Sequence, residues 1–206
     1  SGSNSIYVTG YFTSYSGSSV NRIVRINENG TRDITFNVGT GFDNGTNGAF
    51  VDTSGSLVVT GVYSSYSGSS SPRLVRLLPN GQKDDTFNIG TGFNNASVDV
   101  VTNLDNSVVV TGYFNGYSGS SVNGIVKINS NGTVDTSFNS GTGFNIYGVG
   151  NPNGITKTSD GNLLAFGYFT QYSGSVANRI IKINQNGTIN TGFLSGSGFN
   201  NSVYEI

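Results

Sequence analysis

Apolar positions along the chain fall in short bursts separated by polar, glycine-rich spacers, and the bursts recur. Ser5-Ile6-Tyr7-Val8-Thr9, Ser56-Leu57-Val58-Val59-Thr60, Ser107-Val108-Val109-Val110-Thr111 and Asn162-Leu163-Leu164-Ala165-Phe166 each run into a glycine. Short β-branched and aromatic runs closed by Gly read as buried strands, and the Gly as a bulge or close backbone approach. No window carries a sustained 3.6-residue apolar stripe, so no helix is predicted. A second burst occupies residues 21–27, 72–78, 123–129 and 178–184, each ending at an Asn-Gly pair: Asn29-Gly30, Asn80-Gly81, Asn131-Gly132 and Asn186-Gly187. Asn-Gly predicts a type I′ hairpin turn with both central residues at positive φ. The chain then returns through Asp33-Ile34-Thr35-Phe36 and its copies, passes a loop such as Gly39-Thr40-Gly41-Phe42, and enters a last segment such as Ser97-Val98-Asp99-Val100-Val101.

The punctuation between the bursts repeats as well. Gly10-Tyr11-Phe12-Thr13-Ser14-Tyr15-Ser16-Gly17 returns at Gly61, Gly112 and Gly167, at spacings of 51, 51 and 55 residues. A fixed period of this length marks a repeat architecture. Four short antiparallel strands in about 51 residues are the content of one propeller blade. The predicted fold is therefore all-β: a single β-propeller domain over residues 1–206 with four blades of four strands. The repeats run approximately over 1–48, 49–99, 100–153 and 154–201. Ser5 aligns with Ser107 and Ile206 with Val100, so the two ends hold complementary parts of one blade. Residues 202–206 are expected to pair with the N-terminal strands, complete the first blade and close the ring, hiding a sheet edge. An eight-bladed ring built from two chains fits the same pattern. The lack of any Met predicts a chain processed or cut from a longer protein.

The combination Gly-aromatic-Phe, Asn-Arg-Ile-Val-Arg-Ile-Asn, Asn-Gly-Thr and Asp-x-Thr/Ser-Phe-Asn resembles the delta-sixty repeat propeller family, over all four repeats. The resemblance implies a β-propeller of the kind found in secreted or surface proteins of bacteria and in phage-related proteins, largely without assigned biochemistry. This chain departs from the pattern at Pro72 for Asn, at Gly124 for Arg and at Asn190 for Asp.

Composition narrows the chemistry. The 13 Phe and 11 Tyr recur at fixed repeat positions, as packing residues do, which sets the chain apart from a disordered one. Ten Lys and Arg against 11 Asp and Glu leave a net charge of -1, with no basic cluster for nucleic acid. No run of 18 apolar residues predicts a membrane-inserted span. With neither Cys nor His there is no disulfide, thiol nucleophile, Ser-His-Asp triad or imidazole metal ligand. No cofactor, metal or catalytic residue is expected, although two carboxylates would suffice for a glycosidase. Asp43, Asp52, Asp99, Asp105 and Asp160 show no calcium-loop spacing.

Three candidate sets remain. Tyr15, Tyr66, Tyr117 and Tyr172, each followed by Ser-Gly, offer a flat face and a hydroxyl for stacking on a sugar; packing between blades is the competing expectation. Tyr147 sits in the insertion that breaks the period, where a binding loop would be sought. Arg22, Arg73 and Arg179 recur with Asp33, Asp84 and Asp135 and are expected to form structural ion pairs. The expected function is non-enzymatic recognition or adhesion outside a cell or on a virion, with a surface glycan or a protein partner bound through blade-connecting loops. A homo-oligomer is compatible with this. The alternatives are a structural block of a phage tail, fibre or surface array, and a carbohydrate-active enzyme. The last requires Asp or Glu converging in one pocket.

Overall fold

The computed structural model describes residues 5–145 and 150–206, and among them every regular element is a β-strand. Three antiparallel sheets of three strands follow one another. They comprise Thr46–Val51, Leu57–Gly61 and Leu74–Leu77; Ser97–Thr102, Val108–Gly112 and Ile125–Ile128; and Pro152–Lys157, Leu163–Gly167 and Ile180–Ile183. The first sheet has two strands, Ile6–Thr9 and Ile23–Ile26, in register Ile6↔Ile26 to Thr9↔Ile23. The middle strands are continuous apolar runs because neighbouring sheets cover both their faces; Leu57–Gly61 and Val108–Gly112 are buried throughout.

The glycine closing each middle strand works as its position predicts. The register slips between Ser97 and Asp99 opposite Gly112, and between Pro152 and Gly154 opposite Gly167. A Cβ on Gly61 would lie 2.5 Å from the carbonyl oxygen of Gly45, so the bulge closes only around glycine.

Two sequence expectations are corrected. The fourth strand of each repeat is reduced to a single bridge, at Ile26↔Arg32, Leu77↔Lys83, Ile128↔Val134 and Ile183↔Ile189. The cause is the next residue: the carboxylate of Asp33 accepts the N–H of Thr35 at 2.9 Å, and Asp84 that of Thr86 at 2.9 Å, curling the chain off the ladder. The Asn-Gly turns are also not type I′. Only the glycine has positive φ (Gly30 81°), with Gly30 N–H donating to Asn27 O at 2.9 Å, a three-residue loop ending in a left-handed Gly. The turn with two positive φ values is instead Ser16-Gly17 (47° and 76°), repeated at Ser67-Gly68, Ser118-Gly119 and Ser173-Gly174.

Successive repeats are joined by aromatic insertion. Phe42 lies 4.4 Å from the ring centre of Tyr63 and 4.7 Å from that of Tyr66. Phe93 repeats this against Phe114 and Tyr117, and Phe144 against Phe169 and Tyr172. Asn37, Asn88 and Asn139 donate their N–H to the carbonyls of Asn80, Asn131 and Asn186 in the next repeat at 2.7 to 2.9 Å. That contact is why Gly81 must be glycine: a Cβ there would sit 2.6 Å from Asn37 O.

Past Phe199 the chain follows the same path, with Val203 N–H donating to Gly167 O at 3.1 Å as Thr46 N–H does to Gly10 O at 3.3 Å. Residues 202–206 form no strand, and no ladder joins them to Ile6–Thr9 among the described residues. Phe199 is half exposed.

Candidate functional site

The structure buries three of the four hairpin tyrosines, which leaves them no face for stacking on a sugar. Tyr66, Tyr117 and Tyr172 are at most 1% exposed and Tyr15 is half-buried. Their hydroxyls donate to the carbonyls of Gly81, Gly132, Gly187 and Gly30 at 2.6 to 2.7 Å. Burial raises the pKa of Tyr66, Tyr117 and Tyr172 well above that of a free phenol. The two-residue Ser-Gly turn folds each ring back onto its own repeat, and the Phe of the preceding repeat covers Tyr66, Tyr117 and Tyr172. Tyr147 lies outside the described residues.

The ion pairs exist with different partners. Asp33 pairs with Arg25 (2.8 Å), Asp84 with Arg76 (2.7 Å) and Asp135 with Lys127 (2.8 Å). These cations stand three residues after the expected ones, on the strand whose backbone the aspartate bridges. In the fourth repeat, where Asn190 replaces the Asp, Lys182 turns to Asp160 at 2.6 Å. Arg22, Arg73 and Arg179 are left-handed, at φ 69°, 65° and 69°, matching Gly124 at 70°, which explains why glycine is accepted there. Arg22 and Arg73 donate to the carbonyls of Phe42 and Phe93 at 2.8 and 2.7 Å, and Arg179 lies over the Tyr168 ring at 5.6 Å. Arg22 and Arg73 thereby pin the loop phenylalanine. The dispersed aspartates form no metal-binding group of three among the described residues.

The residue that strand logic hid is the tyrosine directly after the strand-closing glycine. Tyr11, Tyr113 and Tyr168 are 64%, 41% and 39% exposed, while the aromatics that follow, Phe114 and Phe169, are fully buried. A reversal of side at each glycine bulge sends one aromatic out and the next in. Tyr11 and Tyr113, with Tyr204 (80% exposed), border a cavity of about 710 Å³ where the first strands of the sheets converge. Val98, Asp99, Asn47, Asn153, Phe166 and Glu205 also line it.

Repeat equivalence explains the shape. Gly48, Asp99, Gly154 and Glu205 occupy one position in four copies; two copies supply a carboxylate, and at the two glycines the room is taken by Asp99 and Phe166. The Asp99 carboxylate accepts the N–H of Ile155 at 2.9 Å through Oδ2 and that of Val100 at 2.8 Å through Oδ1. Burial raises its pKa, and the two amide hydrogen bonds oppose that rise without cancelling it. Asn47 donates to Ser97 O at 2.9 Å and Asn153 to Val203 O at 3.0 Å, so each amide braces the next repeat's first segment. Tyrosine faces with carboxylate and amide oxygens are contacts a polyhydroxylated ring uses, and among the described residues no Lys or Arg lines the cavity. Two acids do share this cavity, although both oxygens of Asp99 are engaged by backbone.

Four segments, residues 2–36, 53–87, 104–138 and 158–193, match the family model described as a domain of unknown function (DUF5122) beta-propeller. None of the curated proteins matches the sequence. Among solved structures, the chain is similar to a protein provisionally described as a gluconolactonase, at 18% identity and TM-score 0.43, covering 79% of this chain and 55% of that one. A protein of unknown function from Bacteroides caccae is similar at 11% identity and TM-score 0.39, covering 81% of this chain and 72% of that one.

Proposed function

The chain belongs to the DUF5122 beta-propeller family, and from that premise we propose that it is a non-enzymatic recognition module binding a neutral glycan at the cavity bordered by Tyr11, Tyr113 and Tyr204. The single observation that carries the reading is the exposure of these tyrosines beside the carboxylates of Asp99 and Glu205 in one cavity of about 710 Å³. Volumes of roughly 300 to 1,000 Å³ suit small-ligand sites, and exposed aromatics beside neutral polar groups suit sugars. The finer likeness to the delta-sixty repeat, and with it display outside a cell or on a virion, belongs to the same proposal.

We further propose that the four repeats close into one ring, with residues 202–206 supplying the first strand of the first blade. Phe199 then lies against Phe12 and Tyr15, as Phe93 lies against Phe114 and Tyr117. What supports this is that Phe199, Phe12 and Tyr15 all retain exposure where their equivalents are buried.

The test is a glycan array probed with the chain and with Tyr113→Ala, Tyr204→Ala and Tyr117→Phe variants. The reading expects saturable neutral-sugar binding, weakened by about tenfold or more in the two alanine variants, and unchanged in Tyr117→Phe. Absence of any hit removes the reading and favours a structural building block. Hydrolysis of a bound glycan, abolished in Glu205→Gln, replaces it with a carbohydrate-active enzyme.

A further inference from the structure

The opposite ends of the first strands hold a second cavity, between the third and fourth sheets, that breaks the repeat symmetry. It measures about 370 Å³ and is bounded by Lys127, Lys157, Asn103 and Gln185 over Val109 and Leu163, with Asp105 the one acid in its wall.

Two positions there differ from the first repeats. In the first repeat the position of Lys127 is Arg25, whose Nη1 crosses to Pro79 O of the next repeat at 2.6 Å. Lys127 is shorter, and its ammonium is held by Asp135 at 2.8 Å. No bond spans from it to Gln185, the residue equivalent to Pro79, and the gap stays open. Lys157 stands where the second and third sheets have Val51 and Thr102. Among the described residues its ammonium has neither an ion pair nor a hydrogen-bond acceptor, although Asp105 acts on it through space. Asp105 itself accepts the N–H and hydroxyl of Ser107 at 3.0 and 2.6 Å.

We propose that this cleft binds a small organic carboxylate on a ring body, an acidic sugar or an aromatic acid, through the ammonium of Lys157 with Lys127 beside it and Val109 and Leu163 as an apolar floor. Lys157 is half-buried and its ammonium has no protein acceptor among the described residues, so a ligand carboxylate can take the place water holds there. Burial lowers the Lys157 pKa; Asp105 opposes this, and a smaller repulsion from Lys127 adds to it. Valine and leucine beneath the charges favour a ring over a bare inorganic anion. The cleft is separate from the tyrosine-bordered cavity, so this proposal stands independently of the glycan reading.

The test follows the side-chain NMR signals of Lys157 in the intact chain during titration with glucuronate and benzoate. Glucose, benzyl alcohol and inorganic sulfate serve as the neutral and ring-free arms. The expected result is a saturable Lys157 shift with at least one of the two acids, none with the neutral probes, and weaker binding of sulfate. Affinity should fall about tenfold or more in Lys157→Gln, hold within a few-fold in Lys157→Arg, and stay unchanged in Lys83→Gln, whose ammonium donates to Ser70 O elsewhere. No saturable shift with either acid, equal affinity in Lys157→Gln, or sulfate binding as tightly as the acids overturns the proposal. The wild-type titration decides the matter even if a variant fails to fold.

Discussion

Asp99 reaches out of its own sheet to Ile155, accepting that residue's N–H at 2.9 Å across a sequence gap of 56 residues. A first-strand residue of the third sheet thereby satisfies a backbone donor of the fourth. It fits because the second sheet has glycine at the same level: a Cβ on Gly48 would lie 2.9 Å from Asp99 Oδ1. One carboxylate therefore ties the sheets together where the candidate cavity opens.

Removing that carboxylate should be costly. Asp99→Ala leaves the Ile155 N–H without an acceptor, and the urea midpoint should fall by the equivalent of about 1 to 3 kcal/mol. The raised pKa of Asp99 makes the native state bind its proton more tightly than the unfolded chain does. Protonation of Asp99 therefore favours folding in the window just above the ordinary carboxylate range. A carbon-detected titration placing Asp99 at or below an unperturbed Asp would contradict this.

The paired aspartates act in the other direction. Thr35, ahead of Arg25, lowers the pKa of Asp33. Burial opposes ionisation of Asp84, but bonds from Thr86 and Arg76 outweigh it. Lys127, then Ser137, lowers that of Asp135. Folded values below the unfolded ones mean stability that is fully present above the ordinary Asp range and lost as pH falls through the folded values. With no His in the chain, the denaturation midpoint should be nearly flat from about pH 5.5 to 8 and drop below about pH 4. Asp84→Asn should cost about 3 kcal/mol at pH 7 and show a shallower acid limb. A steep slope near pH 6.5 would argue against the account.

Tyr117→Phe tests the reassignment of the hairpin tyrosines. Its buried hydroxyl donates to Gly132 O at 2.7 Å, so deleting it should cost about 1 to 2 kcal/mol. Tyr15→Phe, at a half-buried site, should cost less. Thermal unfolding of the two variants measures the difference, and equal, negligible effects would reopen these residues as a surface.

Ring closure has its own comparison. Phe93→Ala empties a filled slot between repeats and should cost about 3 to 5 kcal/mol. If Phe199 packs against Phe12 and Tyr15 in solution, Phe199→Ala should lose a similar amount; an open chain end predicts a change within about 0.5 kcal/mol.

Much of this architecture could be read from spacing alone, because each blade repeats one set of packing and turn residues. Strand positions, the bulge at Gly61, Gly112 and Gly167, and the packing alternative for Tyr66, Tyr117 and Tyr172 all follow from periodicity. The ion-pair partners did not, since Arg22 and Arg25 both precede Asp33 and only their backbone angles separate them. Nor did the turn type, which depends on whether Asn29 shares the positive φ of Gly30. The cavity was hidden for a different reason. Tyr11 and Phe12 are adjacent aromatics of similar propensity, and only the register slip at the preceding glycine decides which faces solvent. The equivalence of Asp99 with Gly48, Gly154 and Glu205 was present in the alignment of repeats. That Asp99 and Glu205 border one cavity depends on how the first strands converge, which spacing does not specify.

The most direct test of the central claim is a tyrosine-ring NMR titration with the best neutral glycan from the array. The account predicts saturable shifts at Tyr113 and Tyr204, with Tyr66, Tyr117 and Tyr172 unmoved. Shifts confined to the hairpin tyrosines, or none at Tyr113 and Tyr204 under saturating glycan, would contradict it.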